Sequence, residues 1–317
     1  MRFVTIEHDG VERVGVVDGE TIRVLEAGVS LLDLLRADGA RLEEAGERAM
    51  RDPDLVVAGA EAHLRAPLPQ PPSVRDYMTF ERHFEGVARR AGARTPVPPV
   101  WYAAPSFYFT NPNSVHGPYD DVAIPPGCTA FDLELEVAVV LGAGGRDLTP
   151  AEAEQRIAGF MLMNDWSARD LQVAEFALPL GPAKGKDSAI SLGPWFVTPD
   201  ELAPMRRGDS YDIALTARIN GEVIGSDTVS SMSFGFGQMI AYASRGTDVR
   251  AGEVFASGTC GGGCLAELWG RHGPDIRRPL SPGDVVSIEA EGLGSQISRV
   301  VAGAPGIDFE AFRARRG

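Results

Sequence analysis

The run Phe131-Asp132-Leu133-Glu134-Leu135-Glu136 leads directly into Val137-Ala138-Val139-Val140. A later apolar run, Phe160-Met161-Leu162-Met163, ends on Asn164-Asp165-Trp166. Side chains at i and i+2 of a strand point the same way. A strand here places Asp132, Glu134 and Glu136 on one face and Leu133, Leu135 and Val137 on the other. From Val137 onward both faces are apolar, so the pattern describes a buried strand with an acidic start. Adjacent buried carboxylates are costly unless a proton or a cation compensates. A hard divalent cation, which takes oxygen ligands, is the simplest compensation. The same alternation also describes a half-exposed strand with a solvated acidic face, and burial is what separates the two.

Several elements are needed to hold these residues. Thr149-Pro150-Ala151-Glu152 has an N-cap Thr, Pro at the first helical position and a Glu that completes a capping box, predicting a helix to about residue 157. The strand over 160–163 follows, and Ser167 to Gln172 starts a further turn of helix. Asn220-Gly221 between two alternating runs predicts a hairpin. Ser73 is expected to open a helix, with Asp76 as a weak capping partner. Tyr77, Phe80, Phe84 and Val87 then recur at helical spacing, with His83 near this stripe. Upstream, two strands flank Asp18-Gly19 and two short helices cover about 31–35 and 40–50. The Pro-rich stretch Ala66 to Pro72 breaks regular structure. It predicts a boundary between a small N-terminal domain over 1–68 and a larger domain over 69–317. The larger part is strand-dominated, which makes the class α+β with a large β core.

The chain of 317 residues suits one large and one small domain. Its formal charge of −14 opposes nucleic acid and anionic membranes as partners. No apolar run reaches the length of a membrane span, and the first residues read as a strand instead of a secretory leader. Three cysteines, an odd number, fit a reducing cytoplasm. Cys260-Gly-Gly-Gly-Cys264 invites a metal or redox role, but the spacing is not that of a zinc knuckle and no second pair exists. A structural loop describes it better.

The segments Asp132 to Glu136, Asn164-Asp165-Trp166-Ser167-Ala168-Arg169-Asp170-Leu171-Gln172, Gly181 to Asp187, Gly193-Pro194-Trp195 and Ser257-Gly258-Thr259 together resemble the fumarylacetoacetate hydrolase family. The resemblance runs from about Asp76 to about Val301. It implies a mixed β-sandwich roll of the fumarylacetoacetase C-terminal-domain type behind a small N-terminal α+β domain. It implies that Glu134, Glu136 and Asp165 hold Mg²⁺, Mn²⁺ or Ca²⁺. In fumarylacetoacetase a further upstream Asp binds the metal, and the resemblance puts Thr79 at that position here. His83 matches the water-activating base and Glu267 the carboxylate that orients it. Glu81 or Glu85 offers another way to hold the water. Arg169, Gln172 and Lys186 match donors to a developing oxyanion, although from composition alone Arg169 and Lys186 equally describe surface charges paired with Asp170 or Asp187. Thr259 matches a carboxylate-binding position, which the backbone donors of Gly261 to Gly263 would complete. Tyr108 and Arg90 match substrate contacts, and Phe176 stands where fumarylacetoacetase has a Tyr.

The resemblance implies metal-dependent hydrolysis of a carbon–carbon bond in a 1,3-diketo acid, an acylpyruvate or a fumarylacetoacetate-like compound. The same site serves oxaloacetate-type decarboxylation or isomerisation of an unsaturated dioxo acid. A metal-stabilised binding protein without catalysis is the remaining class. The expected partners are a small keto acid and a second copy in a homodimer.

Overall fold

The computed structural model describes residues 1–37, 39–90, 97–178 and 181–306. Its main sheet has thirteen strands, and the site grows from the middle of that sheet. The strand Leu135–Leu141 lies at its centre, antiparallel to Ile157–Asp165 on one side and to Val254–Ala256 on the other. Val74–Tyr77 pairs parallel with Val254–Ala256 and antiparallel with Phe107–Thr110. A second sheet of five strands joins Glu222–Thr228, Ala214–Ile219, Val285–Ala290, Gly294–Val301 and Val122–Ala123.

The double apolar pattern after Val137 has a direct cause. Leu135, Val137, Val139 and Leu141 enter the core shared with Leu215, Ala217, Val286 and Ile288 of the five-stranded sheet. Ala138 and Val140 face the opposite way, into a core with Leu31, Leu34 and Leu35 of the helix Leu31–Ala37. A strand buried on both faces must be apolar on both. The strands of residues 1–68 extend this same sheet, because Phe3 pairs with Phe196 and Arg2 with Val197.

Local signals gave the expected geometry where they were strongest. Asn220 and Gly221 have φ of 53° and 82° and close a hairpin with Ile219 opposite Glu222. Both turn positions therefore take the left-handed conformation that an Asn-Gly pair allows. The Thr149 backbone donates to Glu152 Oε2 (2.9 Å) and the Glu152 backbone to Thr149 Oγ1 (3.3 Å), completing the capping box.

Two expectations fail. Residues Val74–Tyr77 form a strand, and the helix begins only at Glu81. Strand partners on both sides outweigh the helical spacing that extends back to Tyr77; β preference is set by such context. Asp132 also does not continue the face of Glu134 and Glu136. Phe131–Asp132 pairs with Ser167–Ala168 in a separate ladder, and the main strand starts again at Leu135. Alternation cannot be carried across such a break. Among the described residues no helix is long and apolar enough to cross a membrane.

Candidate active site

Four carboxylates converge from three strands and one strand break. Asp76 sits on Val74–Tyr77, Glu136 on Leu135–Leu141 and Asp165 at the end of Ile157–Asp165. Glu134 lies in the break, where its N–H donates to Asn164 Oδ1 (2.9 Å) and its carbonyl accepts from the Asp165 N–H (3.1 Å). One oxygen from each of the four lies within 4.8 Å of the others. The most exposed, Glu134, is 4% accessible, so the face is not a solvated one.

Asp76 is the member that sequence reasoning missed. Thr79, placed at the fourth position, instead gives its hydroxyl to the Ser257 carbonyl (2.6 Å). Reading Val-Arg-Asp-Tyr as a short buried strand, instead of a helix start, was the signal available for Asp76.

The cluster is short of donors. Asp76 Oδ1, Glu136 Oε2 and Asp165 Oδ1 are buried with no hydrogen-bond partner. The Tyr108 hydroxyl reaches both Asp76 Oδ2 (2.7 Å) and Asp165 Oδ2, but its single proton serves one at a time. Lys186 Nζ donates to Glu134 and to Asp165 Oδ2 (2.7 Å). Burial pushes Asp76 well above the usual carboxylate range, reinforced by the Asp165 charge. Burial does the same to Glu136, reinforced by Asp76. At Glu134 burial also pushes upward, but Arg169 and Lys186 outweigh it and hold the group low, with a further contribution from His83. Orphaned buried oxygens in an all-carboxylate set fit a hard divalent ion.

The second cluster is a His–Glu pair. His83, on the helix Glu81–Arg90, places Nδ1 2.9 Å from Glu267 Oε1. Glu267 lies in the first turn of the helix Leu265–His272, and not in a solvated loop. The Gly262 N–H bonds both of its oxygens (2.9 Å each), and Arg271 reaches Oε2 at 3.3 Å. Gly86 lets the two helices meet here: a Cβ on it would stand 2.8 Å from Glu267 Cγ. Of Glu81 and Glu85, the other candidates for holding a water, Glu81 accepts from the Tyr102 hydroxyl near the surface.

Residues 74–301 match the family model described as fumarylacetoacetate hydrolase, C-terminal, and residues 1–50 match one described as Rv2993c-like, N-terminal. The chain belongs to the fumarylacetoacetate hydrolase family. The human mitochondrial oxaloacetate tautomerase FAHD2A is 34% identical over 192 residues, covering 60% of this chain and 56% of that protein. The rice fumarylacetoacetase is 31% identical, covering 63% and 58%. The matches thus span little more than half the length of these relatives. Among solved structures, the fumarylacetoacetate hydrolase of the psychrophile Exiguobacterium antarcticum is 26% identical, with a TM-score of 0.72 over 96% of this chain and all of that one (100%). The α+β architecture is that of this family.

Within this family fold, the remaining candidates take places that the motifs did not reveal. Arg169 and Lys186 are buried, and neither pairs with Asp170 or Asp187. Asp170 accepts from Thr129, and Asp187 pairs with Lys184. Arg169 bridges Asp132 (Nε, 2.9 Å), Glu134 (2.6 Å) and the Gln172 side-chain carbonyl (3.2 Å). Its donors hold a carboxylate of the cluster in place. Asp132, also unassigned by the sequence, accepts from the N–H groups of Leu265 (2.8 Å) and Ala266 (3.0 Å) and so anchors the helix that carries Glu267. Thr259 directs its hydroxyl at Glu136 (3.4 Å). The backbone donors of the glycine loop are already engaged: Gly261 with Asp227, Gly262 with Glu267 and Gly263 with the Cys260 carbonyl. They form no free cradle for a substrate carboxylate. Tyr108 spends its hydroxyl on the acidic cluster, Phe176 is exposed, and the Arg90 side chain lies outside the described residues.

Proposed function

We propose that this chain is a divalent-metal-dependent hydrolase that breaks a carbon–carbon bond in a 1,3-diketo acid. The observation that carries this reading is the buried His83–Glu267 pair at 2.9 Å, whose imidazole acts electrostatically on Glu134 of the carboxylate cluster. Asp76, Glu134, Glu136 and Asp165 would hold the ion. When bound, it supplies Lewis-acid chemistry, drawing negative charge toward the keto-acid end of the substrate.

The chain's own groups account for the proton movements. Glu267, fixed by the Gly262 N–H, accepts a hydrogen bond from Nδ1–H and leaves Nε2 of His83 free to take a proton. Nε2 takes a proton from water, whose oxygen bonds to the carbonyl carbon distal to the carboxylate. The bond between that carbon and the central carbon then breaks, and the proton passes to the departing carbon. The products are a carboxylic acid and a 2-keto acid. Lys186 keeps its charge: burial opposes this, but Asp165 and Glu134 outweigh burial. It therefore offers a fixed positive charge next to the reacting centre.

The 34% identity to an oxaloacetate tautomerase supports a second reading, in which His83 moves a proton between carbon and oxygen and no bond to water forms. Product analysis separates the two. Acylpyruvate and oxaloacetate are each incubated with the protein and Mg²⁺ or Mn²⁺. Equal amounts of carboxylic acid and pyruvate from the acylpyruvate, abolished by EDTA, establish hydrolysis. Faster enol–keto exchange of oxaloacetate with an intact acylpyruvate overturns hydrolysis in favour of the tautomerase.

A further inference from the structure

Cys264 takes no part in the reaction proposed above, yet its sulfur lies 3.8 Å from His83 Nδ1. One ligand atom each from His83, Cys264 and Glu267 falls within 4.8 Å of the other two, and all three side chains are buried. Cys264 of the Cys-Gly-Gly-Gly-Cys run thus meets His83 across the helix interface and Glu267 on the helix that it caps. We propose that Cys264, His83 and Glu267 form a second metal site, for a borderline-soft ion such as Zn²⁺, and that its occupation inhibits the enzyme.

The donor set is the reason. Zinc takes sulfur, imidazole nitrogen and carboxylate oxygen at about 2.0–2.3 Å, commonly with three protein ligands and an open fourth position. Tetrahedral bonds of that length put ligand atoms roughly 3.3–3.6 Å apart. The observed separations of 2.9 Å (nitrogen to oxygen) and 3.8 Å (nitrogen to sulfur) bracket this range. Glu267 is held by Gly262, so it moves little to accept an ion. The Cys264 side chain makes no cap bond to the helix it precedes. Binding removes the thiol proton and shifts the histidine proton from Nδ1 to Nε2, so one proton leaves for each ion bound. His83 then has its Nδ1 on the metal and no longer acts as an oriented base. The carboxylate cluster, all oxygen, serves hard ions instead. Mg²⁺ and Zn²⁺ therefore act at different places and with opposite effect.

Cobalt is the probe, because cobalt bound to a thiolate gives a near-ultraviolet charge-transfer band, which cobalt on carboxylates lacks. This measurement does not depend on which reaction the enzyme performs. With Mg²⁺ saturating, Co²⁺ added to the full chain should raise the band in the wild type and in Cys260→Ser, but not in Cys264→Ser. Ser is favoured at a helix N-cap, so the helix should persist; Cys264→Ala serves as a second variant. Zn²⁺ should lower turnover about 100-fold or more in the wild type and leave Cys264→Ser uninhibited. A missing band, or a band that survives in both Cys264 variants, overturns the site. Zinc inhibition relieved by excess Mg²⁺ overturns it as well, since that marks competition at the carboxylates.

Discussion

Asp132 and Asp76 are the same residue type at almost the same burial, 0% and 1% exposed, and the protein treats them in opposite ways. Asp132 accepts from the backbone of Leu133, Leu265 and Ala266 and pairs with Arg169. Asp76 has one oxygen with no donor, and its other oxygen shares the Tyr108 proton with Asp165. The glutamates repeat the contrast. Glu267 has Gly262, His83 and Arg271, whereas Glu136 has an orphaned oxygen and a long contact from Thr259. Burial alone therefore does not mark a ligand carboxylate. Of these four acids, Asp132 and Glu267 are satisfied by the chain, and Asp76 and Glu136 of the carboxylate cluster are left short of donors.

The largest expected difference lies between Glu136→Gln and Asp132→Asn. Glu136→Gln should weaken Mn²⁺ binding by about 100-fold or more, since even outer partners of metal ligands are worth 10- to 100-fold. Metal-free, it should unfold no more easily than the wild type, because the amide removes one of four crowded carboxyls. Asp132→Asn should lose about 3–5 kcal/mol of stability, the usual cost of breaking a buried ion pair from one side. Calorimetric metal titration and urea unfolding read both effects. Equal losses of stability in the two variants would erase the distinction.

The His–Glu pair sharpens the contrast, because Glu267 is satisfied by the chain and yet carries the proposed catalytic role. His83→Ala should lower kcat by about 10²–10⁴ without changing Mn²⁺ affinity. Glu267→Gln should lower it less, since the histidine remains and only its tautomer is released. Loss of metal affinity in His83→Ala would make His83 part of the ion site and would falsify its separate role.

The parts of this arrangement that sequence made legible are those carried by long apolar runs. Glu134, Glu136 and Asp165 flank strands buried on both faces, and the Asn-Gly hairpin and the Thr149 capping box are local chemistry. The missed parts depend on partners far away in the chain. Asp76 reads as a ligand only when Val74–Tyr77 is paired with strands at 107–110 and 254–256. The role of Asp132 depends on a helix that starts more than a hundred residues later. Gly261 to Gly263 read as a free cradle until Asp227 and Glu267 are brought to them. Residue type and spacing list the polar groups, but only tertiary packing tells which are already spent.

The smallest effect tests a satisfied acid outside the site. Asp284 accepts from Arg278, from Asn220 (2.9 Å) and from the Ser281 backbone (2.8 Å). The Arg278 hydrogen bonds, with Asn220 and the backbone helping against burial, lower its pKa from 3.8 to about 2. Because the folded value lies below the unfolded one, the contribution is complete above about pH 4 and disappears as pH falls toward 2. The Arg278 side chain is 59% exposed, so screening reduces the pairing to about 1 kcal/mol. Asp284→Asn should therefore cost about 1 kcal/mol in urea unfolding at neutral pH, and the gap to wild type should narrow below about pH 4. A gap that stays constant into acid would mean that the geometry at the Asn220 hairpin, and not the ionised carboxylate, provides the stability. Asp284 would then differ from Asp132 in kind as well as in degree of burial.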